Sequence, residues 1–239
     1  MNLIPDTPST VELFFDYVQN TPQHVFAKFN GQELTASELH DLVQNTAQQL
    51  RDLGIGSGDR VAYMLDNTLD LIVLIFSLML IGSIQIPINT KLRNDSLKFI
   101  VSHCEAKLIL AEESYQSILT PLVSPTRADG IIYRHSQYSF QWRNPKGGHS
   151  TGLVQDGVLD ADDVQFILYT SGTTGEPKGV LVTDRMLRAA ADACAQTSSA
   201  SANDRFLLWE PLFHIGALQI LPLVFLKNIS LILVPTFSA

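Results

Sequence analysis

Residues 170–179 have the composition of a loop that binds phosphate. They read TSGTTGEPKG and contain three glycines, four hydroxyl side chains and one lysine, Lys178. Glycine accepts positive φ and has no Cβ, so backbone N–H groups can turn inward and approach an anion closely. Successive N–H groups in such a turn form a concavity suited to phosphate, and Lys178 adds a positive charge. The predicted phosphate-binding residues are Thr170, Ser171, Gly172, Thr173, Thr174, Gly175 and Lys178.

The spacing of this segment differs from that of the common P-loop, in which the lysine leads directly into a helix. Here Pro177 precedes Lys178, and residues 180–182 (VLV) have the composition of a strand. Another apolar run, residues 164–169, comes before the loop. We therefore predict a strand–loop–strand hairpin with a Gly/Thr tip. The alternative is an ordinary hydrophilic hairpin without a ligand, because Gly, Ser, Thr and Pro are the usual turn residues.

The ten-residue string resembles the signature of the acyl-adenylate-forming (AMP-binding) superfamily, which includes acyl-CoA synthetases, aryl-CoA ligases, luciferases and peptide-synthetase adenylation domains. Further stretches resemble family segments in the same order along the chain, and they are residues 34–39, 54–62, 82–89, 211–214 and 235–239. Ala36, Ser83, Gln85 and Thr236 depart from the residues usual in these segments. The resemblance covers nearly the whole chain, and residues 211–214 and 235–239 are similar to the carnitine/crotonobetaine-CoA ligase-like group.

The resemblance implies an AMP-forming acid–CoA ligase that uses ATP, Mg²⁺ and CoA. In such an enzyme a carboxylate attacks the α-phosphorus of ATP, pyrophosphate leaves, and the acyl-adenylate then acylates a thiol. Positioned donors and positive charge provide most of the catalysis of such a step. The loop would hold the β- and γ-phosphates, with Lys178 as a catalytic residue.

His214 is the second predicted catalytic residue, because the resemblance places the histidine of Pro211-Leu212-Phe213-His214 at the acyl pocket. The alternative is a hydrogen-bonded core histidine. Residues 213–217 contain no acid, whereas the related peptide-synthetase domains carry an aspartate near this position that pairs with an α-amino group. We therefore expect a neutral pocket, a small carboxylic acid substrate without an α-ammonium group, and transfer to CoA.

Several family segments are absent from the chain: those that hold the adenine, the ribose and Mg²⁺, and the mobile C-terminal domain with its own lysine. Family members are typically more than twice as long. The resemblance therefore implies a fragment, a truncated gene product or one piece of a split enzyme, inactive alone and completed by a C-terminal polypeptide. The alternative is a non-catalytic nucleotide- or partner-binding remnant.

Composition narrows the class of protein. The 239 residues are 46% hydrophobic and 17% charged, enough for a large core. The net charge of −8 argues against a nucleic-acid-binding surface. Two cysteines and the absence of a signal peptide predict free thiols in the cytoplasm. Gln85 and Pro87 interrupt the apolar run of residues 71–88, which predicts a buried helix and a buried strand rather than a stable membrane span.

Helical and strand patterns alternate along the chain, which predicts an α/β fold with a parallel, doubly wound sheet and flanking helices. By resemblance this is an incomplete N-terminal domain of the acyl-CoA synthetase-like fold. It has a first α/β portion at 1–120, an irregular linking region at 121–162, and the phosphate loop with the start of a second portion at 163–239. The predicted helices are residues 9–18, 35–53, 69–81, 94–103, 184–196 and 215–226. The predicted strands are residues 25–29, 32–34, 60–65, 84–88, 106–110, 164–169, 180–182, 205–209 and 229–234.

Overall fold

The computed structural model describes residues 8–123, 131–134, 160–170 and 176–234. The helices in these ranges are α1 Thr10–Asn20, α2 Ala36–Asp52, α3 Leu69–Leu80, α4 Asn94–His103, α5 Gln116–Leu119, α6 Asp184–Ser198, α7 Ile215–Leu218 and α8 Ile220–Lys227. The strands are β1 Val25–Phe29, β2 Gln32–Thr35, β3 Arg60–Met64, β4 Ile84–Pro87, β5 Leu108–Glu112, β6 Ile131–Arg134, β7 Val164–Thr170, β8 Lys178–Thr183, β9 Arg205–Leu208 and β10 Ser230–Leu233.

The strands form two sheets. One has the order β2-β1-β10-β9 and the other has the order β6-β5-β3-β4-β7-β8. Neighbouring strands are parallel except for the pairs β1–β2 and β7–β8, which are antiparallel edges. These two pairs are joined by short connections, and a parallel pair would need a crossover of a dozen or more residues. The predicted α/β fold with helices flanking parallel sheets is confirmed, but the strands divide into two sheets rather than one.

Local sequence signals fix the first elements of the chain. Ser9 and Thr35 each cap a helix and exchange hydrogen bonds with a glutamate three residues later, so both helices begin with a capping box. Asn30 and Gly31 have φ of 49° and 79° and connect β1 to β2. Positive φ at both central residues is the geometry that makes Asn-Gly a hairpin turn.

Two elements differ from the prediction. Strand β6 lies inside the region 121–162 that was predicted to be irregular, and it pairs in parallel with β5. The predicted helix over residues 215–226 is two helices, α7 and α8, separated at Gln219. Pro222 explains the break, because it has no N–H for the Leu218 carbonyl and its ring collides with that carbonyl in a continuous helix.

Helix α3 is buried along its length. Leu71 through Leu80 are all buried, and the helix contacts α2, β1 of one sheet and β4 of the other. Ser77 is completely buried and donates its hydroxyl to the carbonyls of Val73 (2.7 Å) and Val43 (3.1 Å). The predicted buried helix is confirmed. No helix in the described parts of the chain combines the length and the apolar character needed to cross a membrane.

One charged pair is also buried, and it joins α1 to α6. Arg188 Nε donates to Asp184 Oδ2 at 2.8 Å, and the two side chains are 7% and 1% exposed. The Thr10 N–H, in the first turn of α1, donates to both oxygens of the same carboxylate at 3.2 and 3.4 Å. The positive end of a helix dipole favours a carboxylate at this place.

We predict that Asp184→Asn lowers the free energy of unfolding by about 3–5 kcal/mol, because Arg188 would keep its charge in the interior without this carboxylate. Urea unfolding measures the change. The matched control is Asp162→Asn, which removes an exposed ion pair with Arg185 of the same helix α6 and should lower the free energy of unfolding far less. Equal losses in the two variants would contradict the prediction.

Candidate functional site

The predicted hairpin brings two of the candidate phosphate-binding residues together. Thr170, the last residue of β7, pairs with Lys178, the first residue of β8, and both are exposed. The strand–loop–strand prediction is therefore confirmed on both sides of the loop. The other candidates, Ser171, Gly172, Thr173, Thr174 and Gly175, lie outside the described residues.

Strand β7 is fixed from two sides before it reaches the loop. Phe166 is completely buried, and it pairs with Gln85 of β4. The Tyr169 hydroxyl lies 2.7 Å from His103 Nδ1, at the end of α4. Burial raises the pKa of Tyr169 to about 12, so the phenol stays protonated at neutral pH and can donate to His103. The start of the loop is thus held by the sheet and by a helix.

Gly179 has a packing role in this hairpin. A Cβ at this position would lie 2.9 Å from Ile167 Cγ2 and 3.6 Å from Tyr169 Cζ, both on β7. A contact of 2.9 Å is too short for two carbon atoms, so β8 approaches β7 closely only because residue 179 lacks a side chain. Sequence reasoning attributed the glycines of this segment to backbone freedom and missed this contact.

His214 lies in a different part of the fold from the hairpin. It follows β9, belongs to the loop that leads into α7, and is exposed, with its ring centroid 4.7 Å from that of Phe213. The alternative prediction of a core histidine is therefore wrong.

A shallow cleft lies next to Phe213, and sequence reasoning missed it. Its lining residues are Leu65, Asp66, Asn67, Thr90, Lys91, Pro211 and Phe213. The first five follow the carboxyl ends of β3 and β4, which is where parallel α/β sheets bind ligands. The available signal was the pair of polar stretches, Asp66-Asn67 and Asn89-Thr90, directly after two buried strands.

Charges of both signs surround the cleft. Asp66 accepts a hydrogen bond from the Tyr115 hydroxyl at 2.8 Å, and Lys91 is exposed. Burial and the neighbouring Asp66 carboxylate raise the pKa of Tyr115 to about 12. Tyr115 therefore remains a neutral donor at physiological pH and orients Asp66.

An acidic side chain also lies beside residues 213–217, although the sequence predicted a neutral segment. A Cβ on Gly216 would lie 2.1 Å from Glu210 Oε2, so the carboxylate rests directly against this glycine. The chain folds back between Glu210 and α7, which brings the acid to a segment that contains none. The neutral acid pocket itself stays a prediction.

Comparison with known proteins identifies the family. A family model described as "AMP-binding enzyme" matches residues 14–239. The chain belongs to this family. It is 31% identical over 211 residues to the long-chain-fatty-acid–CoA ligase FadD13 of Mycobacterium tuberculosis, covering 86% of this chain and 41% of that protein. It is 30% identical over 191 residues to a crotonobetaine/carnitine–CoA ligase of Proteus sp., covering 77% of this chain and 37% of that protein.

Solved structures agree with the fold. The inhibitor-bound N-terminal domain of FACL13 from M. tuberculosis superimposes with a TM-score of 0.85 at 26% identity, covering 97% of this chain and 58% of that chain. The AMP complex of O-succinylbenzoate CoA synthetase from Bacillus subtilis has a TM-score of 0.79 at 23% identity, a likeness of fold alone. The chain spans about two fifths of the length of the curated relatives it matches. The predicted N-terminal AMP-binding fold is confirmed, whereas the division at residues 120 and 162 stays a prediction.

We predict that Gly179→Ala destabilises the hairpin by about 1–3 kcal/mol, because the new methyl group forces Ile167 or the strand to move. The matched control is Gly56→Ala, where a Cβ would meet only Asp59 Oδ2, at an ordinary 3.9 Å. Thermal unfolding measures stability, and amide hydrogen exchange of β7 and β8 shows where it is lost. The prediction fails if both variants unfold at the same temperature as the unsubstituted chain.

Proposed function

We propose that this chain is part of an ATP-dependent, AMP-forming carboxylic acid–CoA ligase. The family match over residues 14–239 carries the proposal, and it includes the phosphate-loop string and Pro211-Leu212-Phe213-His214. The names of the relatives support the same reaction, since both are acid–CoA ligases.

Lys178 acts on the phosphates of ATP in this proposal. Its position opposite Thr170 puts one cation and one hydroxyl at the base of the loop, whose residues 171–175 hold the β- and γ-phosphates. When the acid carboxylate attacks the α-phosphorus, negative charge accumulates on the departing pyrophosphate. Fixed donors and a cation stabilise that charge without reorganising during the reaction. We therefore assign Lys178 to adenylate formation rather than to thioester formation.

His214 lines the pocket of the acid in this proposal, beside the path of the CoA thiol. The ring of His214 contacts that of Phe213 but remains exposed, so it is accessible to a substrate. The substrate class is a small carboxylic acid. Glu210, which lies beside the same segment, disfavours acids that carry a second negative charge near this point.

The described residues bring together no group of three or more His, Cys, Asp or Glu side chains that could hold a metal ion. We place the protein in the cytoplasm, since Cys194 is a free thiol in the described structure and cytosolic thiols stay reduced.

A second polypeptide completes the enzyme in this proposal, and the exposed sheet edges support it. Leu207 and Trp209, at edge strand β9, are 56% and 54% exposed, and Leu181, on edge strand β8, is 56% exposed. Open edges with apolar side chains are sites of pairing with another chain. The alternative function, a non-catalytic nucleotide- or partner-binding remnant, uses the same edges without restoring activity.

We predict that Lys178→Ala, in the completed enzyme, slows adenylate formation about 10²–10³-fold, because one charge stabilising the transition state is lost. Thioester formation from preformed adenylate should change little. Single-turnover measurements separate the two half-reactions, with Lys98→Ala, an exposed lysine on α4, as control. Equal losses in both half-reactions would give Lys178 a different role.

We also predict that the 239-residue chain alone exchanges no pyrophosphate into ATP in the presence of acids. Adding a C-terminal polypeptide from a related ligase should restore exchange that depends on both components. Exchange by the chain as a monomer would refute the requirement for a partner. A stable complex that stays inactive across a panel of acids would favour the non-catalytic alternative.

A further inference from the structure

Asn67 holds the backbone of the segment that carries His214. The residue follows β3 and is 9% exposed. Its Nδ2 donates to the Glu210 carbonyl at 3.0 Å, and its Oδ1 accepts from the Leu212 N–H at 2.9 Å. One side chain thus binds two backbone groups on either side of Pro211, more than 140 positions away in the sequence.

At neutral pH these two bonds require a carboxamide. One atom must donate and its neighbour must accept, and at this side-chain length only asparagine carries both groups at that pH. An ionised aspartate would offer two acceptors, one of which would face the Glu210 carbonyl. A leucine would leave both backbone groups without this partner, and buried backbone groups without partners are costly.

The segment needs such a partner because it is irregular. It runs from the end of β9 at Leu208 to the start of α7 at Ile215, so no strand ladder or helix orders its backbone there. A local bond, from the His214 N–H to the Pro211 carbonyl at 3.0 Å, forms a turn. Asn67 ties that turn to the end of β3, in the larger sheet.

The same residue also lines the cleft. Asn67 lines it together with Asp66 and with two residues of the segment itself, Pro211 and Phe213. Any movement of the turn therefore changes the wall of the cleft and the place of Phe213-His214 together.

We propose that Asn67 is a positioning residue. It sets the place of Phe213, which lines the cleft at the carboxyl ends of β3 and β4, and of His214, the next residue in the chain. It acts through the backbone of residues 210–212 and does not itself touch the reacting atoms. The role of His214 in the reaction rests on the proposed function. The two hydrogen bonds from Asn67 to the Glu210 carbonyl and the Leu212 N–H, which we call the Asn67 clamp, do not. The clamp can therefore be tested in the chain without an activity assay.

The experiment uses the 239-residue chain with Trp142→Phe, so that Trp209 is the one remaining tryptophan. In this background Asn67→Leu removes both bonds, and Asn45→Leu, at an exposed position of α2, is the control. Hydrogen exchange of the Leu212 amide should become about tenfold faster in Asn67→Leu. Trp209 emission should shift, and amides of α3 should keep the exchange rates of the control.

Asn67→Asp provides a readout that a general packing role would not produce. The new side chain cannot donate to the Glu210 carbonyl when it is ionised. When it is protonated it can donate, while its other oxygen still accepts from Leu212. Trp209 emission of this variant should therefore differ from that of the parent at pH 7 and return toward it as the pH falls. The parent, measured over the same pH range, corrects for other titrating groups.

Two outcomes would overturn the proposal. One is an Asn67→Leu chain that folds with unchanged Leu212 exchange and Trp209 emission. The other is an Asn67→Asp chain whose emission follows the parent at every pH, and this measurement decides the matter if Asn67→Leu does not fold. In the completed enzyme, Asn67→Asp should raise KM for the acid more than KM for ATP. If Leu212 exchange and Trp209 emission do not respond, the positioning role of Asn67 is wrong but the ligase proposal is unaffected. If the completed enzyme is inactive, the ligase proposal is wrong but the role of Asn67 is unaffected.

Discussion

The burial of α3 on all of its faces is the constraint on which the rest of this structure depends. A helix that is apolar all round must be covered all round, since each large side chain left in water forgoes about 1.5–3 kcal/mol. A single sheet covers one face of a helix. Helix α3 contacts β1 of one sheet and β4 of the other, and α2 covers a further side. The division into two sheets follows from this requirement, and Phe76 extends the contact to Phe14, Phe26 and Phe225 in α1, β1 and α8.

Polar residues inside this core are accommodated one hydrogen bond at a time. Ser77 bonds within α3 and to α2, while Gln85 donates to the Ile75 carbonyl at 3.2 Å and accepts from the Tyr63 hydroxyl at 3.4 Å. Ser83 donates to the Gly56 carbonyl at 3.0 Å. Ser83 and Gln85 are more polar than expected for the family segment that residues 82–89 resemble. Their partners show that these two side chains are satisfied inside the fold, as most buried polar groups are.

The candidate site is assembled from connections that more rigid elements hold in place. The Tyr169–His103 contact fixes the strand before the phosphate loop, and Asn67 fixes the turn before His214. In the first case a helix side chain binds the strand that leads into the loop, and in the second a side chain that follows β3 binds the segment before His214. Functional loops on a rigid scaffold are the usual arrangement in enzymes. Here the two supports come from α4 and from the end of β3, on the larger sheet and its helices.

The sequence by itself determined the local structure of this protein. Capping boxes, the Asn-Gly turn and the apolar run of α3 act over a few residues, so their outcome can be read from neighbours in the chain. The break between α7 and α8 also has a local cause, because Pro222 interrupts the helix and could have been used to predict the break from the sequence. Leu42 shares the helical spacing of the buried residues Leu39 and Val43, yet it is 44% exposed.

Only the tertiary structure decided the contacts between distant segments. The Asp184 carboxylate at the first turn of α1, the Asn67 clamp and the Glu210 carboxylate against Gly216 depend on how the chain returns to itself. Strand β6 exists because β5 offers it an edge. No periodic pattern in the sequence indicates such contacts. Their free energy comes from burial and hydrogen bonds between residues that meet only after the sheets have formed.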